Sequence, residues 1–209
     1  MRNVTWSWLL EYCSTTYETI GYDKKYLDSL RNAIPKVRSG IDLKIPTEKE
    51  ILASLSNLED SPKKYKALYN LLLESGLRLV EAVNLINDFK DPQEVNGFFR
   101  CYLAKFRGNK HAYYGHFSAS TFALIQEVNE KMGVITAGHF FAKRGYVTAK
   151  YLCKFCFDKM IELEVPESIA DFIQGRVPQR VGAKHYMALA RQASKFYPRY
   201  LDYIENLRS

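Results

Sequence analysis

The sequence has no run of apolar residues long enough to cross a bilayer, and its first residues lack the layout of a secretory signal. We therefore expect no membrane partner and a cytoplasmic location. Four cysteines in 209 residues are too few for a disulfide framework. Acidic residues do not cluster at metal-binding spacing, and Cys153-x-x-Cys156 lacks a second ligand pair for zinc. The sequence thus predicts neither a metal nor a cofactor.

What the sequence has in excess is positive charge. It contains 30 lysines and arginines against 23 aspartates and glutamates, which gives a net charge of +7 and a pI of about 9.1. This balance favours an anionic partner such as a nucleic acid. The apolar fraction of 47% is sufficient for a full hydrophobic core.

Helix signals dominate the chain. Thr47 and Glu50 form a capping box at the start of one helix, and Gly76 is placed to end the next. The segment after Arg78 repeats apolar residues at helical spacing. Gly133 is expected to stop a helix that starts near Ser118, and Pro198 to divide the C-terminal segment into two helices. We assign residues 1–45 to an N-terminal helical segment and 46–209 to the main domain.

The periodicity changes between Gly97 and Phe117. This stretch is rich in aromatic residues and has the turn signal R-G-N-K in its middle, which predicts a β-hairpin. Helices around one small antiparallel sheet place the domain in the α+β class.

A basic run near the end of the chain leads directly into Tyr186. The run and other cations that stand at the ends of predicted elements could converge on one anionic group. They are Arg78, Lys105, Arg107, Lys110, Lys150, Arg176, Arg180 and Lys184.

Three segments, in this order, resemble the tyrosine recombinases, also called phage integrases, and most closely the integrases of archaeal viruses and plasmids. They are LLLESGLRLVEAVNLI, FRGNKHAYY and DKMIELEVPESIADFIQGRVPQRVGAKHY. The resemblance covers about residues 46 to 205 and implies an integrase catalytic domain. It implies that Arg78 is the first catalytic arginine and Tyr186 the nucleophile. Lys150 takes a position where most members have histidine. Arg176 takes one where most have histidine or tryptophan.

The same resemblance implies a catalytic cation on the hairpin. Direct alignment places Arg107 there, with Lys105 and Lys110 close by. These three residues, together with Lys154, Arg180 and Lys184, are the expected DNA contacts.

One position departs from the family pattern. The second catalytic arginine is expected three residues after Lys150, where this sequence has Cys153. A thiol is neutral near pH 7 and lacks the forked donors of a guanidinium. Either catalysis is impaired, or Lys154 or Arg144 supplies the missing charge.

The resemblance implies cleavage of double-stranded DNA through a 3′-phosphotyrosyl intermediate, and integration or excision of a viral or plasmid genome. It also implies self-association on DNA in a tetrameric synapse, with the C-terminal helix packed on a neighbouring subunit. The alternative for this helix is packing on its own domain. The alternative for the function is a DNA-binding module that has lost catalysis. Tyr197, Tyr200 and Tyr203 are expected to be packing or contact residues.

Overall fold

The computed structural model describes residues 23–33, 40, 42–107, 110–178, 182 and 188–208. Contacts divide the chain into two units, Met1–Leu43 and Lys44–Ser209. The smaller unit contains helix α1 (Lys24–Ala33). Within the described residues, no helix combines the length and apolar character needed to span a membrane.

The larger unit is an α+β domain, as the sequence predicts. Its helices are α2 (Glu48–Asn57), α3 (Lys63–Ser75), α4 (Leu79–Asn87), α5 (Ala119–Gln126), α6 (Val134–Lys143), α7 (Ala149–Glu162), α8 (Glu167–Ile173) and α9 (Leu189–Arg208). Its strands β1 (Gln93–Val95), β2 (Phe98–Arg107) and β3 (Lys110–Phe117) form one antiparallel sheet in the order β1–β2–β3.

The core is built around α3, whose apolar residues face inward on nearly every side. Leu68, Tyr69, Leu71 and Leu72 are fully buried. Helices α5, α7 and α9 and strand β3 all contact α3. A helix buried all round is a central element of a domain, so the segment that follows it, which contains Arg78, starts from a fixed point.

The sheet contains the predicted hairpin and one further strand. Asn96 and Gly97 have φ values of 50° and 83°, and Val95 pairs with Phe98. Positive φ at both central residues is typical of the tight turn that Asn-Gly favours. Asn96-Gly97 is therefore a turn signal from which a strand before β2 could have been predicted, but the sequence analysis did not assign β1.

Gly133 begins a helix instead of ending one, so the prediction at this residue was wrong. Helix α5 already ends at Gln126, and α6 starts at Val134 with Gly133 as its N-cap. Gly133 has φ −86° and ψ 138°, an extended conformation that suits an N-cap.

Pro198 does not divide the C-terminal segment, and that prediction was also wrong. Helix α9 continues through it from Leu189 to Arg208. A proline inside a helix removes the donor to the carbonyl four residues earlier, here that of Ser194. The side-chain amide of Asn96 donates to the Ser194 carbonyl over 3.1 Å, so this acceptor is satisfied from outside the helix.

Helix α9 packs on its own domain. Tyr197, Tyr200 and Ile204 are fully buried. The hydroxyls of Tyr197 and Tyr200 donate to the carbonyls of Glu74 and Leu73, over 3.3 and 2.7 Å. These carbonyls belong to the last turn of α3, where no N–H group of the same helix is available to donate to them. Of the two alternatives for this helix, the single chain thus adopts packing on its own domain.

A buried ion pair fastens the end of α9. The Arg208 guanidinium donates to Glu74, whose carboxylate is fully buried and also accepts from Ser118 and Thr121. Removing one partner of a buried pair leaves an uncompensated charge in the interior.

We expect Arg208→Met to lower the free energy of unfolding by about 3 kcal/mol, because the buried carboxyl of Glu74 loses its partner. Urea unfolding followed by circular dichroism measures this loss. Arg199→Met is the matched control, since Arg199 lies on the exposed side of the same helix. An equal, small effect of both substitutions would show that the pair contributes little.

Candidate active site

One cleft of about 520 Å³ lies where α3, α4, α7 and α8 begin or end. It brings together four of the cations that the sequence analysis selected, along with the cysteine that departs from the family pattern. These residues are Arg78, Lys150, Cys153, Lys154 and Arg176. They come from three segments that are far apart in the sequence, so only the fold places them side by side.

Arg78 enters the cleft from the start of α4. Gly76 ends α3 with φ 62°, and Arg78 is the N-cap residue of α4. The carboxylate of Glu81 accepts from the Arg78 backbone N–H over 3.1 Å and from its guanidinium over 2.5 Å. Glu81 is buried, whereas 27% of the Arg78 side chain is exposed. A guanidinium has five N–H donors, so Arg78 can hold Glu81 and an anion at once.

The turn at Gly76 admits no larger residue. A Cβ atom there would lie 2.5 Å from Nε2 of Gln174 and 2.8 Å from Sγ of Cys156. The same Gln174 Nε2 donates to the Cys153 carbonyl over 2.8 Å. Gln174 therefore joins the end of α3 to α7, and it lines the cleft.

Sequence reasoning missed Gln174, although F-I-Q-G-R was among the segments that carried the resemblance. Its side chain is buried, and its Oε1 has no hydrogen-bond partner among the described residues. A buried amide oxygen without a donor is uncommon in proteins. This oxygen is enclosed within the domain and has no exposed surface.

Cys153 faces the cleft as a neutral group. Its Sγ donates to the Leu77 carbonyl over 3.1 Å. Burial raises the pKa of the Cys153 thiol to about 11, and the nearby Arg176 opposes this rise only in part. The thiol is therefore protonated at neutral pH and supplies no charge to the cleft.

The two lysines of the cleft stand one turn apart on α7. Lys150 and Lys154 both line it, whereas Arg144, the other candidate to replace the second arginine, is absent from its lining. The Arg144 guanidinium is stacked 4.1 Å from the ring centroid of Phe140. Of the two candidates, Lys154 lines the cleft and Arg144 does not.

Arg176 follows the end of α8. Its backbone N–H donates to the Asp171 carbonyl over 2.8 Å, and its guanidinium lies 5.1 Å from the ring centroid of Phe157. The carboxylate of Asp171 is 3.9 Å from the guanidinium. Burial raises the pKa of Asp171, and Arg176 acts in the opposite direction. The aromatic ring and the carboxylate limit the directions that Arg176 can take.

Strand β3 is joined to the segment that bears Arg176. The backbone N–H of His111 donates to the Gly175 carbonyl over 3.0 Å. Gly175 has φ 68°, and a Cβ atom there would lie 2.7 Å from that of Ala112. The hairpin therefore contacts the chain directly before Arg176.

None of the three hairpin cations is seen in the cleft: one lies elsewhere, and the side chains of the other two are outside the described part of the structure. Lys105 is exposed and lines a different cleft, between α4 and β2. Arg107 and Lys110 pair across the hairpin in backbone register, but their side chains lie outside the described part of the structure. Tyr186, Arg180 and Lys184 also lie outside the described residues.

The arrangement suits a phosphate or phosphodiester. Among the described residues that line the cleft, four are cations and none is acidic, and the carboxylates of Glu81 and Asp171 lie beside Arg78 and Arg176. Among the described residues, no cluster of three or more histidines, cysteines or acids could hold a metal ion. The chemistry that such a cleft can perform rests on its fixed positive charges.

A mostly helical α+β domain with a small sheet and a cationic cleft agrees with the catalytic domain that the sequence resembles. A family model described as archaeal phage integrase matches residues 43–203. The chain belongs to this family, and membership supports DNA binding and integrase-type DNA recombination as its general role. A search of the curated proteins found no match.

Proposed function

We propose that this protein is a tyrosine-type site-specific recombinase that cleaves and rejoins double-stranded DNA through a 3′-phosphotyrosyl intermediate. The observation that supports this most is the convergence of Arg78, Lys150 and Arg176 on one cleft. Each corresponds to a catalytic position of the resemblance, and none is near the others in sequence. A viral or plasmid genome is the element integrated or excised.

The cleft residues would act on the scissile phosphodiester. Arg78 and Arg176 would bind its non-bridging oxygens, where negative charge grows as an attacking oxygen approaches phosphorus. Arginine fits this role because its charge persists at all relevant pH values and its donors are paired. Lys150 adds a third positive charge beside the same phosphate.

Tyr186 would supply the attacking oxygen. Its phenol gives a proton to solvent water, and the oxygen forms a bond to phosphorus while the bond to the 5′-oxygen of the DNA breaks. The leaving 5′-oxygen takes a proton from the hairpin, with Lys110 as the lysine candidate and Arg107 at the aligned position, since Lys105 lines a different cleft. A 5′-hydroxyl of another strand then reverses these steps, so the phosphodiester re-forms without an energy source.

A second candidate function rests on Cys153. The neutral thiol at the place of the second arginine favours a DNA-binding module with impaired catalysis, acting as a regulator or inhibitor. A nicked suicide substrate separates the two functions, because the cleaved fragment diffuses away and traps the covalent complex. A covalent protein–DNA band supports the recombinase, and binding without such a band supports the module.

Self-association on DNA belongs to the same proposal. Exchange of strands between two duplexes needs several active sites, for which a tetrameric synapse is the expected assembly. Sedimentation with and without attachment-site DNA would test it, and a monomer under both conditions would contradict it.

The hairpin should contribute to DNA affinity through its charge. We expect replacement of Lys105, Arg107 and Lys110 together by glutamine to flatten the dependence of log affinity on log salt by about 0.9 for each phosphate that the hairpin no longer neutralises. Fluorescence anisotropy over a salt series measures the slope. An unchanged slope would place the hairpin outside the DNA interface.

A further inference from the structure

The side chain of Gln174 lies where three segments of the candidate active site meet. Its Nε2 donates to the Cys153 carbonyl over 2.8 Å, in the middle of α7. It also fills the space beside Gly76, where a Cβ atom would lie 2.5 Å from the same nitrogen. Arg78 follows Gly76 by two residues, and Arg176 follows Gln174 by two residues. One side chain is therefore packed between the segments that carry the two arginines.

The hydrogen bond from Gln174 is not needed to complete α7. Cys153 lies inside this helix, where each carbonyl accepts from the backbone N–H four residues later. A carbonyl oxygen has two lone pairs, so the Gln174 amide binds as an additional donor. Because α7 can form without this bond, its consequence is the placement of Gln174 against α7.

The oxygen of the same amide lowers the stability of the domain. Gln174 is 2% exposed, and its Oε1 has no hydrogen-bond partner among the described residues. A buried acceptor without a donor is unfavourable, whereas an apolar side chain of similar length would fill this space without that cost. Stability alone therefore does not account for glutamine at this position, but a requirement for the one bond that Nε2 makes does.

The turn that leads to Arg78 is held by the same residue of α7. Gly76 is left-handed, with φ 62°, and the next carbonyl, that of Leu77, accepts from the thiol of Cys153 over 3.1 Å. Cys153 thus binds the turn through its thiol and Gln174 through its carbonyl. A shift of Gln174 along α7 would change the distance between this turn and the segment that bears Arg176.

We infer that Gln174 is a positioning residue, which sets the distance between Arg78 and Arg176 by holding both segments against α7. This inference rests on the proposed function, in which the two arginines bind the scissile phosphate. Two cations stabilise a charged transition state together only when both reach its oxygens, and a displacement of about 1 Å can lower a rate by about 10²-fold. Gln174 itself contacts neither the DNA nor the reacting atoms.

Gln174→Met tests this role at nearly constant side-chain length. Methionine fills the space but cannot donate to the Cys153 carbonyl. We expect the single-turnover rate of covalent complex formation to fall by about 10²-fold, while DNA affinity and the midpoint of urea unfolding do not fall. Gln192→Met is the matched control, since it makes the same change on α9 at a residue that does not line the cleft, and it should leave the rate unchanged.

Hydrogen exchange reports on the turn without requiring DNA cleavage. The backbone N–H groups of Gly76, Leu77 and Arg78 each donate to an acceptor within the domain, so these amides are expected to exchange slowly. In Gln174→Met we expect residues 76–78 to lose protection, whereas the same residues in Gln192→Met keep it. Mass spectrometry of peptides from the exchanged protein measures the difference.

The outcomes separate this role from the proposed function. If Gln174→Met lowers the rate only as far as it lowers the fraction of folded protein, the residue is structural and the inference is overturned. Unchanged exchange at residues 76–78 overturns it as well, whether or not the protein cleaves DNA. If the wild-type protein forms no covalent complex, the proposed function fails, and loss of protection in Gln174→Met would still support the hold of Gln174 on the segment of Arg78.

Discussion

Replacing Tyr186 with phenylalanine should abolish every covalent protein–DNA complex and leave fold and DNA affinity unchanged. The phenyl ring fills the same space, but it has no oxygen to attack phosphorus. The measurement is a nicked suicide substrate analysed by denaturing electrophoresis, with anisotropy as the control for binding.

The structure sharpens this prediction by excluding two other tyrosines. Tyr197 and Tyr200 are fully buried, and their hydroxyls donate to main-chain carbonyls of α3. Burial raises the pKa of both phenols well above its usual value. Neither can approach DNA while the domain is folded. A covalent complex that persists in Tyr186→Phe would therefore assign the nucleophile to an exposed residue and overturn the assignment.

Replacing Cys153 with arginine should raise the rate of strand cleavage by about 10²-fold or more, the factor that one well-placed donor contributes to a charged transition state. Cys153 lines the cleft beside Lys150 and Arg176, where a guanidinium would add charge and forked donors. Single-turnover formation of the covalent complex measures the rate.

Cys153→Ser is the matched control, since it exchanges one small neutral group for another and should leave the rate unchanged. Cys153→Lys adds charge without the fork and should give an intermediate rate. If Cys153→Arg has no effect, Lys154 already supplies the missing charge, and Lys154→Gln should then lower the rate.

Local signals in the sequence predicted the start and end of several elements. The capping box of Thr47 and Glu50 and the left-handed Gly76 both lie where the sequence placed them. Each depends on residues within one turn of helix, so neighbouring residues are sufficient to predict it. The α+β class and the hairpin followed from the change of periodicity between such signals.

The errors arose where a distant residue decides the outcome, or where one residue type suits two structures. A proline in α9 is tolerated because Asn96, far away in the sequence, satisfies the carbonyl that Pro198 leaves without a donor. The stop assigned to Gly133 failed because glycine is compatible with either end of a helix. Local patterns do not contain this information.

The candidate site was predicted in part. The resemblance selected Arg78, Lys150 and Arg176 one by one, and the fold places all three on one cleft. Gln174 was not selected, because its position depends on a close turn between the end of α3 and α7. Assignments for Arg107, Lys110 and Tyr186 stay predictions.

The bonds that hold α9 also bear on the order in which the domain assembles. They join residues 98, 127 and 134 positions apart, namely Asn96 to Ser194, Leu73 to Tyr200, and Glu74 to Arg208. Contacts between residues so far apart in the sequence form late in folding, because closing the long loop between them lowers the entropy of the chain before the contacts form. We therefore expect α3, α7 and the sheet to collapse first and α9 to dock last. Tyr186 immediately precedes α9 in the sequence, so we expect the proposed nucleophile to become active only after α9 has docked.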